Sequence, residues 1–318
     1  MTGKTDTKRG FGLGLLAFGI FATHDALIKS LGGSYSVFQL IFFATLFAFV
    51  PVTLVMMADK SEGNFRPKHP WWLALRTICA LIGASCAFYA FTVLPLAEVY
   101  ALLFAMPLLI TALSVPFLGE TVGVRRWIAV FVGFIGVIVV LRPGTADFTL
   151  GHAAALTAAV VSSMANIIIR KIGSEERSAV LILIPMVTNV VVMAALLPFV
   201  YKPVALPDLG VMALIGTIVI GAQIAMIGAY RAAPAAIVAP VQYSQILWAV
   251  GFGYFFFNET PDIWVAVGSA IIITSGIFVI WREGGAKASG IRPVTRMSNL
   301  RIDTGPSPKP KPLDVAAE

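Results

Sequence analysis

Ten apolar runs follow one another along residues 10–281, and each is long enough to cross a lipid bilayer. A helix needs about 20 mostly apolar residues to span the hydrocarbon core. The runs occupy residues 10–30, 36–57, 71–93, 95–118, 124–141, 150–170, 179–201, 208–230, 234–257 and 261–281. The chain is 58% hydrophobic and only 12% charged, and a water-soluble fold cannot bury that much apolar surface. The sequence therefore predicts an all-α polytopic membrane protein with ten transmembrane helices.

Lysine and arginine are distributed unevenly among the connections between these runs. With the N-terminus in the cytoplasm, 19 of the 23 Lys and Arg residues fall on the cytoplasmic side and two on the other. Because cytoplasmic loops are enriched in these residues, we predict a bacterial inner-membrane protein with both termini inside. Residues 1–9 are then a cytoplasmic N-terminus, and residues 283–318 a disordered basic cytoplasmic tail. This orientation explains the net charge of +7, so no nucleic-acid partner is predicted.

The chain also matches itself when it is shifted along its own sequence. A shift of 139 residues pairs Pro95 with Pro234 and Glu120 with Glu259, and a shift of 141 residues pairs Lys29 with Arg170. The two halves, residues 10–145 and 150–282, each contain five spans. An odd number of spans makes the second half enter the membrane from the opposite side. Such inverted repeats are typical of secondary transporters, whose substrate site lies near the bilayer midplane.

Residues 95–144 and 234–276 resemble the conserved end of an EamA repeat from the drug/metabolite transporter superfamily. The first copy matches the family pattern at Pro95, Pro107, Gly119, Glu120, Gly133 and Gly136. The second copy departs from it, because Ile246 replaces the mid-helix proline and Asn258 replaces the glycine. The resemblance implies a ten-helix carrier with a central cavity, and it does not fix the transported metabolite.

Ionisable residues within the spans are the first candidates for a substrate or coupling site, because charge inside a bilayer is costly. The carboxylates Asp25 and Glu98 could bind a cationic group or a coupling proton. Lys29 lies one helical turn after Asp25, so it either completes this site or only neutralises the carboxylate. His24 is a further candidate, with a packed or interfacial histidine as the alternative. Arg76 either reaches toward the membrane interface or anchors an anionic substrate.

Polar side chains near the predicted midplane form a second group of candidates. Gln242 and Gln245 are three residues apart on the ninth span, so they share a helix face, and Tyr243 and Trp248 lie beside them. That face either lines a cavity or bonds to a neighbouring helix. Weaker candidates for the same cavity are Tyr89, Gln223, Gln39 and Asn189.

Five residues are predicted to shape helices rather than to bind a ligand. Pro95 and Pro234 begin the fourth and ninth spans, and Pro107 frees a backbone carbonyl in mid-span. Glu120 and Glu259 each follow a helix end, where a carboxylate can accept hydrogen bonds from the backbone that opens the next helix.

The leading hypothesis is a secondary carrier of a small polar or charged metabolite that is amino-acid-like, vitamin-like or drug-like. Proton coupling would run through Asp25 or Glu98. The alternatives are an intramembrane lipid-modifying enzyme and a channel or non-transporting scaffold. The sequence has no metal-spaced Cys/His cluster, so no catalytic residue, metal or cofactor is predicted. The expected partners are a small-molecule substrate and the lipid bilayer, and the chain is either a monomer or a homodimer.

Overall fold

The computed structural model describes residues 7–57, 66–120, 122–143, 147–173, 175–233, 235–260 and 262–285. These residues form α-helices and one 3₁₀ segment, and no β-strand is present among them. The elements are α1 Thr7–Gly32, α2 Val37–Met57, α3 Pro70–Val93, α4 Leu96–Leu103, α5 Met106–Leu118, α6 Val124–Leu141, α7 Leu150–Ile172, α8 Ser178–Val200, α9 Leu206–Ala232, α10 Ala235–Val238, the 3₁₀ segment Ala239–Ser244, α11 Gln245–Phe257 and α12 Ile263–Gly285. The all-helical prediction is confirmed.

Seven of these helical stretches are long and apolar enough to cross a membrane. They are Thr7–Gly32, Pro70–Val93, Leu96–Leu118, Val124–Leu141, Leu150–Ile172, Ala179–Val200 and Leu206–Ala232. Two shorter apolar helices, Val37–Thr53 and Ile263–Val279, coincide with the predicted second and tenth spans. The chain is therefore a multi-pass membrane protein.

The predicted fourth and ninth spans are each broken rather than continuous. The break between α4 and α5 consists of Phe104 and Ala105, and Pro107 is the second residue of α5. In the ninth span the 3₁₀ segment separates α10 from α11. Pro240 is the second residue of that segment, where its missing N–H would have no helical partner in any case. The second break therefore forms although Ile246 occupies the position of the mid-helix proline.

Helices α5 and α11 end in the same way despite a difference in sequence. Gly119 follows α5 with φ 67°, and Asn258 follows α11 with φ 56°. Asparagine is one of the few residues other than glycine that adopts this left-handed conformation readily. In both cases the next residue, Glu120 or Glu259, donates its N–H back to a carbonyl of the preceding helix. The replacement of glycine by Asn258 thus preserves the helix end.

Helices α6 and α12 pack against each other backbone to backbone. A Cβ atom built on Gly136 would lie 2.8 Å from the carbonyl oxygen of Gly268, and one built on Gly268 would lie 2.7 Å from that of Gly136. Neither position can carry a side chain without moving a helix. Small residues commonly permit such close contacts between membrane helices. This contact joins the last helices of the two predicted halves.

The chain termini differ in part from prediction. Helix α1 begins at Thr7, so the end of the predicted N-terminal segment is helical. Helix α12 extends to Gly285, beyond the predicted start of the tail at residue 283. The remainder of the predicted tail, and Pro234, lie outside the described residues, whereas Pro95 directly precedes α4 as predicted.

Candidate functional site

A cavity of about 330 Å³ lies inside the helix bundle, within the size range of small-molecule sites. Most of its wall is apolar and includes several phenylalanine side chains. The polar and charged residues in the wall include His24, Asp25, Thr45, Arg76, Tyr100, Ser162, Asn189, Gln223, Tyr230, Gln242 and Gln245. Helices from both predicted halves therefore contribute to one cavity.

Asp25 on α1 is the carboxyl group of this cavity, and its residue is only 1% exposed. The hydroxyl of Tyr100, on α4, donates a short hydrogen bond to Asp25 Oδ2. His24 Nδ1 lies 2.8 Å from Asp25 Oδ1, and the His24 ring packs edge-on against Phe88 with 6.1 Å between centroids. A buried carboxyl group is costly unless polar neighbours bond to it. This cluster can accept a proton or face a cationic group.

Arg76 on α3 is the basic residue of the cavity wall, and it is 6% exposed. Its Nη1 donates to the carbonyl oxygen of Leu181 on α8, at 2.6 Å. Its Nε is buried without a hydrogen-bond partner, and no ion pair of Arg76 forms with any described residue. The side chain bonds to a neighbouring helix in the interior and does not extend along the surface toward the membrane interface.

The two broken helices both face the cavity at their breaks. Phe104 and Pro107 line it from the break between α4 and α5, and Gln242 and Gln245 line it from the 3₁₀ segment and the start of α11. Irregular backbone is tolerated at membrane depth where it lines a cavity. Gln245 Nε2 is buried and has no hydrogen-bond partner among the described residues. The predicted shared face of the two glutamines thus coincides with the cavity wall.

Glu98, the other predicted intramembrane carboxylate, is separate from the large cavity. Its Oε1 lies 2.8 Å from His152 Nε2, and it borders a second cavity of about 250 Å³ together with Arg142 and Asp262. Gln39 is also elsewhere, bonded through its side chain to the backbone of Lys202. The two weaker candidates that line the large cavity are Gln223 and Asn189.

Three aromatic candidates lie outside the wall of the large cavity. Tyr243 is buried behind it, with its ring 5.0 Å from that of Phe104. Trp248 is 38% exposed and packs over Gly19 of α1, where a Cβ atom would lie 3.3 Å from the indole. Tyr89 is half-buried on α3, and its side chain is absent from the wall. Each of the three side chains lies on a face of its helix that does not line the cavity, and sequence spacing alone did not specify that face.

Lys29 forms an ion pair with Glu259 rather than completing the Asp25 cluster. Its Nζ lies 2.7 Å from Glu259 Oε1 and donates to the carbonyl oxygen of Leu94 at 2.6 Å. Glu259 Oε2 also accepts the backbone N–H of Leu96 at 3.0 Å. Glu259 therefore caps the start of α4, in the other predicted half, and not the helix that follows it in sequence as we predicted.

A second ion pair corresponds to the first under the sequence shifts. Arg170 Nη2 contacts Glu120 Oε1 with a short hydrogen bond. Arg170 is the counterpart of Lys29, and Glu120 is the counterpart of Glu259. Each pair thus joins a base of one half to a carboxylate of the other half.

Two further sets of contacts bridge the connections between helices. The hydroxyl of Tyr35 donates to Asp208 Oδ2 at 2.7 Å, and this bond raises the pKa of Tyr35. The backbone N–H of His69 donates to Glu176 Oε1 at 2.5 Å, and His69 Nε2 lies 2.8 Å from Glu175 Oε2. Under the same two shifts, Tyr35 corresponds to Glu176 and Asp208 to His69.

Sequence reasoning missed three residues that the structure brings to these sites. Tyr100 lies in the same span as Glu98, and an aromatic hydroxyl within an apolar run was its signal. His152 follows Thr149 at the spacing of a capping box, and the structure forms that box. Tyr230 lines the large cavity from the last turn of α9, and it carried the same signal as Tyr100, an aromatic hydroxyl in an apolar run.

Known proteins resemble this chain over most of its length. The sequence profile described as the EamA-like transporter family matches residues 8–142 and again residues 149–282. An S-adenosylmethionine uptake transporter of Rickettsia bellii is 27% identical over 89% of this chain and 97% of that protein. A riboflavin transporter of Vibrio cholerae is 30% identical over 72% of this chain and 79% of that protein.

A third relative and a solved structure extend the comparison. A pseudopaline exporter of Pseudomonas aeruginosa is 24% identical over 85% of this chain and 95% of that protein. One crystal structure of a protein aligns with a TM-score of 0.58 at 19% identity, covering 89% of this chain and 98% of the other. That structural likeness concerns the fold alone.

Proposed function

The chain belongs to the EamA-like transporter family, and from this premise we propose that it is a secondary carrier of a small polar or charged metabolite. The observation that carries the proposal is the large cavity of about 330 Å³, with the buried Asp25 in its wall. Intramembrane ionisable groups that face a cavity commonly mark a substrate or ion pathway. The transporters named among the relatives favour a carrier over an enzyme.

The carrier consists of two inverted repeats, residues 10–145 and 150–282, with both termini in the cytoplasm. The two family matches and the two shift-related ion pairs support this layout. In this orientation the Tyr35–Asp208 contact lies at the outer face and the His69–Glu175 contact at the cytoplasmic face. Alternating access would then open one set of contacts while the other remains closed.

Asp25, and not Glu98, is the carboxylate through which a coupling proton or a cationic group acts. Asp25 lines the large cavity beside Tyr100, whereas Glu98 contacts His152 at a separate cavity. A residue that couples transport to a proton must be able to exchange that proton with the space that the substrate occupies. Asp25 meets this requirement.

S-adenosylmethionine and riboflavin are the first compounds to test, because named relatives transport them. In proteoliposomes, a carrier should give saturable uptake and counterflow of at least one of them, and a channel should not give counterflow. Asp25→Asn should abolish the dependence of uptake on a pH gradient. Glu98→Gln is the matched control, and it should retain that dependence.

The reverse pattern would contradict the assignment of Asp25. If Glu98→Gln removed the pH-gradient dependence and Asp25→Asn left it unchanged, coupling would lie outside the large cavity. If purified protein altered the lipids of the vesicle, as detected by mass spectrometry, the intramembrane enzyme would be the better description.

A further inference from the structure

The large cavity contains a buried cation that no described residue neutralises. Arg76 is 94% removed from solvent and lies in the cavity wall, yet it forms no ion pair with any described residue. An unpaired charge inside the membrane region is strongly unfavourable unless something compensates it. A cavity-facing guanidinium of this kind is therefore a candidate anion site.

The contact with α8 accounts for only a small part of the Arg76 side chain. A guanidinium has five N–H donors, and one of them bonds to the carbonyl oxygen of Leu181. Nε is buried and has no hydrogen-bond partner in the part of the chain that the structure describes. A role confined to joining α3 and α8 would need one donor and no charge. The charge and the remaining donors thus exceed what helix packing requires.

Asp25 is too distant to serve as the counter-ion of Arg76. Phe88 follows Arg76 by twelve positions on α3, which corresponds to about 18 Å along the helix axis. Phe88 packs against His24, directly beside Asp25. The wall between these two levels consists mainly of apolar side chains. The cavity therefore keeps a cationic end at Arg76 and an acidic end at Asp25.

We infer that Arg76 binds a carboxylate of the transported metabolite and holds that metabolite with its carboxylate toward α8. This inference rests on the proposed transport function and names the substrate class. A guanidinium presents paired donors that match the two oxygens of a carboxylate. Arg76 is the one Arg or Lys side chain in the described cavity wall, so a singly charged carboxylate fits better than a phosphate.

The test compares S-adenosylmethionine with its decarboxylated form, which differs by loss of the carboxylate. In proteoliposomes of the full chain, decarboxylated S-adenosylmethionine should compete with labelled S-adenosylmethionine at least about tenfold more weakly than the unlabelled compound. Arg76→Gln should weaken S-adenosylmethionine uptake at least about tenfold and abolish this discrimination. Arg76→Lys, which keeps the charge, should retain part of it.

The variants also separate a binding role from a structural one. Lysine nearly matches the reach of arginine and can donate to the carbonyl oxygen of Leu181, so Arg76→Lys should keep a wild-type melting temperature in detergent. Glutamine is two bonds shorter than arginine and loses this hydrogen bond, but Arg76→Gln should stay folded because it also removes an unpaired buried charge. If Arg76→Gln weakened both compounds equally, the carboxylate site would be refuted while the transport function stood. Transport of riboflavin alone would also refute it, because riboflavin has no carboxylate. If no compound were transported, the proposed function itself would fail.

Discussion

The ion pair between Lys29 and Glu259 should hold the two halves of the protein together, and a double-mutant cycle can measure its strength. Its atoms lie 2.7 Å apart, and the side chains are only 12% and 18% exposed. At an effective dielectric constant of about 20, the gross attraction is about 6 kcal/mol, and desolvation offsets most of it. We expect a net coupling of about 2 kcal/mol.

The cycle consists of Lys29→Met, Glu259→Gln and the double variant. Glu259→Gln keeps an oxygen that can accept the N–H of Leu96, so it removes the charge and spares the helix cap. Each single variant should lose about 2–4 kcal/mol, because it leaves its partner charge poorly solvated. At a few degrees per kcal/mol, this lowers the melting temperature in detergent by roughly 4–10 °C. The double variant should be less destabilised than the two losses added together.

A more exposed ion pair provides the control for this cycle. Arg142 and Asp262 are also 2.7 Å apart, but their side chains are 27% and 37% exposed. Their coupling should be below about 1 kcal/mol. If the Lys29 and Glu259 losses were additive, or if the control pair coupled as strongly, the argument that burial gives the first pair its strength would be refuted.

Three other perturbations test the packing and the loop contacts, each read out as melting temperature in detergent. Gly136→Val should cost at least about 1–3 kcal/mol of stability because the valine side chain would meet the backbone of α12. Gly251 has open space around it, so Gly251→Val should cost clearly less. Equal losses of stability would contradict the close contact between α6 and α12. Asn258→Ala should cost about 1 kcal/mol of stability because alanine adopts the left-handed backbone conformation of this position less readily than asparagine. Asn258→Gly should be neutral, and the opposite order of stabilities would contradict that geometry. Tyr35→Phe should lower stability at about pH 7–9 because it removes the hydrogen bond to Asp208. That bond raises the pKa of Tyr35 above its ordinary value of 10.0, so the wild-type protein should lose its stability advantage only at higher pH. Loss of the advantage near pH 8 would contradict this reasoning.

The spans were predictable because each is a local run of apolar residues as long as the bilayer is thick. The break in the ninth span was not, because Ile246 removed the expected proline signal and Pro240 of the 3₁₀ segment lies at a different position. The end of α11 shows the converse. The change from glycine to Asn258 looked like a departure, yet the backbone conformation is kept.

The cavity shows where sequence reasoning reached its limit. Asp25, His24 and the two glutamines were candidates because polar groups are rare in apolar runs, and all four line the cavity. Glu98 carried the same signal and faces elsewhere, toward His152. The sequence shows that a polar side chain within a span needs a bonding partner, but it does not show which residue that partner is.

By itself the sequence determined the helical class, the positions of the spans and the short set of polar residues within them. These follow from local hydrophobicity and from residue type. Only the tertiary structure decided that Lys29 pairs with Glu259, that Tyr100 reaches Asp25, and that Arg76 lies in the cavity with no ion pair to any described residue. The physical reason is that those contacts join helices far apart in the chain, and their geometry depends on how the helices rotate and cross when they pack.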